Sequence, residues 1–424
     1  MKVEYLEESS VRKALAFEIE SEVVEREIEV KARDYAKKAR VPGFRPGKIP
    51  PDVIKKRFRA QVLEDVAETI VNRVVFDEIE GRGLRPLASP QVTQLKIDEN
   101  QPMTFKAVFE TLPILEAPDY KGLRAKAKKA EISGESVDQE LDRLRENAAR
   151  FDPVEGRSAQ SGDYATLDLA WRPAGGGRGG RDENALVEIG SSDNHADFNA
   201  GLAAMSVGQT KDIVVSYGAD HPAKNLAGQT VNYTVTLKAL KAKLVPPADD
   251  EFAKDLDFDS LLALRGDIRE KLQKNEERRV DRELKAQLVE SLVERASFEV
   301  PEALVERHMT ARTEQAARSL ALQGIDPSKL ELNWREYREK QREDSVKAAK
   351  ADILLDEIAR RAGIDPSDEE IDAEIARLAE RVRRSKEALR AQMEKEGDLA
   401  SLRARIREEK TLDLIKADAI LELE

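Results

Sequence analysis

Phe44, Arg45 and Lys48 lie within five residues of one another in Val41-Pro42-Gly43-Phe44-Arg45-Pro46-Gly47-Lys48-Ile49-Pro50. One ring and two cations so spaced suit contact with an anionic partner, not bond making. Proline fixes φ and glycine permits positive φ, so their alternation gives a stiff turn that can hold all three side chains out from the surface. An ordinary Pro/Gly connector is the plainer alternative. A phosphate-cradling nucleotide loop is excluded, because only three residues separate Gly43 from Gly47, and Ile49 stands where that motif needs a magnesium-binding hydroxyl. The three histidines, His195, His221 and His308, lack metal-ligand spacing, and no Gly-x-Ser-x-Gly elbow occurs. With no cysteine in the chain, thiolate metal sites, disulfides and cysteine nucleophiles also drop out. Neither metal nor cofactor is expected.

The charge around the loop names the kind of partner. Residues 31–59 carry eleven Lys/Arg against Asp34 and Asp52, a local +9, whereas the whole chain of 424 residues is −12 and the remainder therefore −21. A cationic island on an anionic body points to one polyanion met in one orientation, and RNA fits, since phosphate contacts position a protein without reading sequence.

The loop must be held by its neighbours. Residues 1–20 read as two strands around a turn at Glu8-Ser9-Ser10, with Ser21 as the N-cap of a helix whose Val24, Ile28, Ala32, Tyr35 and Ala39 share a face. Beyond the loop a second helix is expected from Pro51 to about Glu80, closed by Gly81 and Gly83, then strands over Gln91–Ile97 and Met103–Leu112. An α+β domain ending near residue 112 follows. Residues 113–148 read as a connecting arm, whose amphipathic helix from about Ser136 cannot bury a core alone. Residues 149–243 alternate as strands at Leu167, Leu169 and Trp171, at Ile213, Val215 and Tyr217, and at Val231, Tyr233, Val235 and Leu237, so a small antiparallel β-rich domain is expected. From Leu244 to 424 the pattern is helical, with segments near Asp259–Ala296, Pro301–Gln323, Asn333–Ala362, Ser367–Arg384, Lys386–Lys395 and Asp398–Ile420, and a capping box at Ser367 and Glu370. The stripes Leu284, Leu288, Leu292 and Val293, and Ile353, Leu354 and Ile358, should mostly serve helix packing. Charged residues at 36% and aromatics at 5% suit long solvent-washed helices with thin cores. The acidic N-terminus offers no signal-peptide core and no apolar run approaches a membrane span, so a soluble cytoplasmic protein is expected.

Gly43-Phe44-Arg45-Pro46-Gly47-Lys48-Ile49-Pro50 resembles the ribosome-docking signature of the bacterial trigger factor family, chaperones of the nascent-chain exit. The resemblance implies that Phe44, Arg45 and Lys48 dock on ribosomal RNA and on the large-subunit protein beside the tunnel, with Gly43 and Gly47 shaping the turn. It implies a fold of three parts: an N-terminal α+β ribosome-binding domain, an FK506-binding-protein-like prolyl isomerase module at 149–243, and an elongated helical domain with arms built from 244–424 and the connecting arm. The helical part would cradle nascent and unfolded polypeptides, with a homodimer as the form off the ribosome. Phe298-Glu299-Val300-Pro301 resembles the family's entry into an arm.

Within the isomerase module the family pocket would fall on Leu169, Phe198, His221 and Tyr233. Here Leu169-Ala170-Trp171 replaces a Phe-Thr-Gly run, Ala185 replaces a phenylalanine, and Gly175-Gly176-Gly177-Arg178-Gly179-Gly180-Arg181 replaces a flap. His195-Ala196-Asp197-Phe198 keeps only the phenylalanine of the usual Ile-Pro-Gly-Phe. The pocket therefore reads as eroded and the isomerase activity as weak or absent. In the competing reading Trp171 and Tyr217 rebuild it and the isomerase is active; in another, the chain is a ribosome- or RNA-binding factor that holds no clients.

Overall fold

Alternation of buried and half-buried residues builds the N-terminal sheet. In this computed structural model, which describes every residue except 43, 45–48, 178, 220–225, 331–332 and 424, the chain forms two units. One comprises Met1–Lys128 with Asp281–Glu424, the other Lys129–Val280. The first opens with β1 (Lys2–Glu7), β2 (Arg12–Ile19), α1 (Ser21–Lys38), α2 (Pro51–Arg57), α3 (Arg59–Gly81), β3 (Gln91–Lys96) and β4 (Met103–Glu110). The sheet runs β1-β2-β4-β3, all antiparallel. Met103, Phe105, Ala107 and Phe109 of β4 turn one face inward, and Phe105 stacks on Phe17 with ring centroids 4.7 Å apart. Val24, Ile28, Ala32 and Ala36 of α1 and Val62, Val66, Ile70 and Val74 of α3 cover that face.

Local chemistry departs from the sequence reading at three points. Ser21 is the first helical residue, not the cap; Glu20 takes the cap position without a side-chain hydrogen bond. The second helix breaks at Phe58 (φ −116°, ψ 28°), whose ring is drawn into the core beside Tyr35. β3 has a register irregularity between Thr93 and Lys96, with Gln94 at φ +55°, and all six of its residues are exposed. An irregular edge strand like this loses the one-sided alternation of its neighbours.

The chain then forms β5 (Arg124–Ala127) and enters the second unit with α4 (Gly134–Asn147), β6 (Arg150–Pro153), β7 (Asp163–Pro173), β8 (Gly180–Glu188), α5 (Ala196–Leu202), β9 (Thr210–Ser216), β10 (Thr230–Leu244) and α6 (Asp250–Asp255). The start of α7 (Leu261–Arg295) also belongs here. Ser133 caps α4 by accepting from Ser136 N–H at 3.1 Å, and Val137 and Leu141 bury against Phe252, Ala253, Leu264 and Ile268. The expected need of this helix for a partner is met within its own unit. The antiparallel sheet runs β6-β10-β7-β8, with β9 also on β10. Its core is Ala165, Leu167, Ile213, Val215, Val235 and Leu237 under Leu202 of α5.

Back in the first unit come α8 (Glu302–Leu322), α9 (Trp334–Lys340), α10 (Arg342–Ala362), α11 (Asp368–Val382), α12 (Lys386–Glu396), α13 (Asp398–Ala417) and β11 (Ile420–Leu423). Gly363 at φ +66° ends α10, and the Ser367–Glu370 capping box is present in both directions, at 3.3 and 2.8 Å. The expected helix 333–362 is split at Gln341 into α9 and α10. All seven apolar stripe residues are buried, so they serve packing. Leu123, Ala125 and Ala127 join Leu284, Leu288, Leu292, Leu354, Ile358 and Ile415, so residues 123–127 are part of the helical core. β5 pairs in parallel with β11 there. Lys350 donates to Val293 and Ala296 carbonyls at 2.9 and 2.5 Å, closing the end of α7. Among the described residues no helix is long and apolar enough to cross a membrane.

Candidate functional site

The basic loop is gripped at both feet. Val41 and Ile49 are buried in the N-terminal core, at 5% and 4% exposure, so the chain enters and leaves this stretch at fixed points. Pro50 and Pro51 start α2 as N-cap and first residue, where a missing N–H costs nothing. Phe44 donates its N–H to Val41 O at 3.1 Å and leaves its ring 40% exposed, an unusual position for so large an apolar group. Gly43, Arg45, Gly47 and Lys48 lie outside the described residues.

Neighbouring acids partly neutralise the charge counted from sequence. Glu29 pairs with Lys55 and, at 3.6 Å, with Arg33; Asp34 pairs with Lys37 at 2.9 Å; Asp98 and Glu99 hold Arg59. Hydrogen bonding to Glu29 holds the Lys55 ammonium above its usual range, and the same pairing lowers Glu29. Among the described residues of the window, Lys31, Lys38, Arg40, Lys56 and Arg57 make no ion pair, and the last four of these are exposed. These five are the cations left to attract an outside anion. Glu29, Asp98 and Glu99 fall outside the window, and apart from the i,i+4 pair of Glu29 with Arg33 nothing in their spacing announces the pairing.

A second site lies in the β-rich module. Leu169 of β7, Phe198 of α5, Tyr217 at the end of β9 and Tyr233 of β10 converge on an open cleft of about 680 Å³, with Leu226, Val187 and the loop Ser192–His195 completing its walls. Phe198 meets Tyr233 edge-on at 5.3 Å, His195 meets Tyr217 in the same way at 5.3 Å, and the two tyrosine hydroxyls are 2.9 Å apart. Burial, aided by the Tyr217 hydroxyl, pushes the Tyr233 phenol well above its ordinary value. Three of the four residues named for this pocket therefore come together, and His221 lies outside the described residues. Tyr217 joins them, as the competing reading expected, but Trp171 does not line the cleft. Its ring instead covers Gly180 across the β7–β8 pair, where a Cβ would lie 2.2 Å from the ring. Sequence reasoning missed His195, which serves as the N-cap of α5 by accepting from Asp197 N–H at 3.2 Å.

The start of β7 is tied down by a half-buried ion pair. Arg157 donates to both Asp163 oxygens, at 2.6 and 2.8 Å, and Gln160 N–H adds a third bond at 2.9 Å. These hold the nearly buried Asp163 carboxyl below its usual range, with Arg157 the main cause. A lowered folded-state pKa stabilises the fold above the ordinary carboxylate range near about 4, and the effect is lost as pH falls through the lower folded value. Arg157→Ala should therefore lower the denaturant midpoint at neutral pH, and should do so far less in strong acid; an equal loss at both pH values would contradict this role.

A third concavity, about 610 Å³, opens between α7, α10 and α13 in the first unit. Ala286, Val289, Val293, Ala348, Ala351 and Leu412 give it an apolar floor, and Arg282, Lys285, Glu290, Glu294, Arg312, Asp344 and Lys347 a charged rim. No titratable cluster with metal-ligand geometry occurs among the described residues.

Comparison with known proteins matches both ends of the chain. Residues 1–144 match the family model described as bacterial trigger factor protein, and residues 260–417 the model described as its C-terminus. A curated trigger factor of Koribacter versatilis is 35% identical over 408 residues, covering 95% of this chain and 93% of its own. One from Solibacter usitatus is 32% identical over 403 residues, covering 95% and 96%. A solved structure reported under promiscuous substrate recognition in folding and assembly activities of the trigger factor chaperone shares the fold, with a TM-score of 0.51 at 20% identity, covering 98% of this chain and 99% of the other. With two relatives above 30% identity along nearly its whole length and both ends matched by the family's models, the chain belongs to the bacterial trigger factor family.

Proposed function

We propose that this chain is a ribosome-associated chaperone that meets nascent polypeptides at the exit of the large subunit. The carrying observation is the loop held by buried Val41 and Ile49, presenting exposed Phe44 beside cations that the protein leaves unpaired. Phe44, Arg45 and Lys48 are the docking residues, Gly43 and Gly47 shape the turn, and ribosomal RNA with the protein beside the tunnel is the surface they meet. Residues 1–112 form the ribosome-binding domain, 149–243 the isomerase-type module, and 113–148 with 244–424 the client cradle. Off the ribosome the protein pairs as a homodimer, and it works in the cytoplasm. The intact chain should cosediment with ribosomes and, in their absence, keep a refolding protein from aggregating; failure at both would contradict the reading.

The module's cleft supports weak isomerase activity. Rotation about a prolyl amide crosses a barrier of about 18–20 kcal/mol, and an apolar aromatic pocket lowers it by desolvating the bond. Here the rings of Phe198, Tyr217 and Tyr233 share the cleft with Ser192, Asp193, Asn194 and His195, a polar wall ill suited to desolvating the bond. Catalysed isomerisation of a proline tetrapeptide by the intact chain should barely exceed background. Robust turnover that disappears in Tyr233→Ala would establish instead the active isomerase that the converging rings favour as a second reading.

A further inference from the structure

The turn between α11 and α12 gathers charge that the fold does not neutralise. Residues 377–390 carry six Lys/Arg against Glu380 and Glu387, a local +4 on a chain of −12. Arg377 pairs with Glu374, and Lys386 and Arg390 pair with Asp372. Among the described residues Arg381, Arg383 and Arg384 make no ion pair, and all three are exposed. Only Arg381 lies in the last turn of α11, where a cation offsets the helix dipole; the other two stand beyond it. Arg384 is held in place all the same, because its Nη1 donates to Gln392 Oε1 of α12 at 2.6 Å, and a neutral amide fixes the guanidinium without cancelling its charge.

The charge is kept against a backbone preference. Arg383 N–H and Arg384 N–H close α11 by donating to Glu380 O at 3.3 Å and Ala379 O at 3.0 Å, the motif in which the residue after the helix turns left-handed and glycine is preferred. Gly363 after α10, at φ +66°, and Gly397 after α12, at φ +81°, follow that preference. Arg383 takes the same place at φ +53°. A strained residue standing where glycine would relax the turn points to a use for its side chain.

We infer that Arg381, Arg383 and Arg384 form a second RNA-contacting surface, which takes phosphate groups of the ribosomal RNA backbone without reading base sequence. Guanidinium forks match phosphate oxygens, and such contacts need no pocket. Magnitude decides against an acidic polypeptide as the partner. An exposed pair with a single carboxylate changes affinity by less than about fivefold, and of residues 381–384 only Val382, 54% exposed, offers apolar area. RNA adds to each such pair the release of a condensed counterion. The inference rests on the ribosome-associated reading, which supplies the RNA, and extends it to a surface outside the loop of residues 43–50.

The test starts from the intact chain carrying Phe44→Ala, Arg45→Ala and Lys48→Ala, so that the docking side chains of the loop are absent. Anisotropy of a fluorescent RNA hairpin is followed across a salt series, with and without Arg381→Gln, Arg383→Gly and Arg384→Gln. Arg383→Gly also relieves the left-handed turn, so these changes do not threaten the fold, and the unfolding midpoint checks that. The three changes should weaken binding about tenfold or more at about 50 mM salt and lower the slope of log affinity against log salt by about three. Unchanged affinity and slope, or no RNA binding in dilute buffer before the arginines are changed, overturns the proposal. A glutamate-rich peptide that binds as tightly as the hairpin and is released by the same three changes also overturns it, in favour of an acidic polypeptide. None of these outcomes touches ribosome cosedimentation of the chain with its loop intact, by which the docking reading itself stands or falls.

Discussion

Phe44→Ala, Arg45→Ala and Lys48→Ala together should abolish cosedimentation with ribosomes at moderate salt and leave the unfolding midpoint unchanged. The reason lies in how the loop is mounted. Its anchors are Val41 and Ile49, which the triple variant does not touch, and Phe44 is exposed, so losing its ring empties no core. A phenyl ring that buries on docking contributes about 1.5–3 kcal/mol, and every phosphate left unneutralised keeps the counterion whose release would have favoured binding. The five unpaired cations Lys31, Lys38, Arg40, Lys56 and Arg57 stay in place and supply only a diffuse attraction. Retained binding at moderate salt would move the docking surface elsewhere on the protein. Restoring Arg45 and Lys48 while leaving Ala at position 44 separates ring from charge.

Placing a carboxylate in the apolar cleft of the helical unit should have an effect of similar size on client holding. Val289 is half-buried on the cleft floor with Ala286, Val293 and Leu412, so Val289→Asp leaves the fully buried Leu288 and Leu292 intact. A client side chain buried on that floor gains about 1.5–3 kcal/mol, and a carboxylate that the client must desolvate removes that gain. Since about 1.4 kcal/mol is tenfold in affinity, aggregation suppression should require about 10–100-fold more protein. Unchanged suppression by a folded Val289→Asp chain would show that clients bind elsewhere. Holding must remain weak in any case, because a tightly bound client would not be released to fold.

Local structure is more legible in the sequence than the distant pairings are. The hairpin of β1 and β2, the buried face of α1 and the capping box of Ser367 are written in neighbouring residues, and each appears where its pattern places it, apart from the cap of α1. β5 and β11 give no such signal, because Arg-Ala-Lys-Ala and Ile-Leu-Glu-Leu are four residues each and pair across most of the chain, with Arg124 and Glu422 298 positions apart. The break at Phe58 is hidden inside a helical pattern because it serves a tertiary contact with Tyr35, not a local preference. For the docking loop, the charge count finds the island but cannot subtract Glu29, Asp98 and Glu99, which only the fold brings to Lys55 and Arg59. The isomerase cleft is half legible: Leu169, Phe198 and Tyr233 meet, whereas Trp171, available to the pocket by sequence alone, is committed by the fold to covering Gly180.

Ribosome cosedimentation of the wild-type chain across a salt series tests the central claim most directly. An acidic protein that docks through a small cationic tip should bind well in dilute buffer and lose about 10²–10³-fold in affinity between about 50 and 200 mM salt if four to six phosphates are neutralised. No affinity in dilute buffer, or binding that ignores salt, would contradict it.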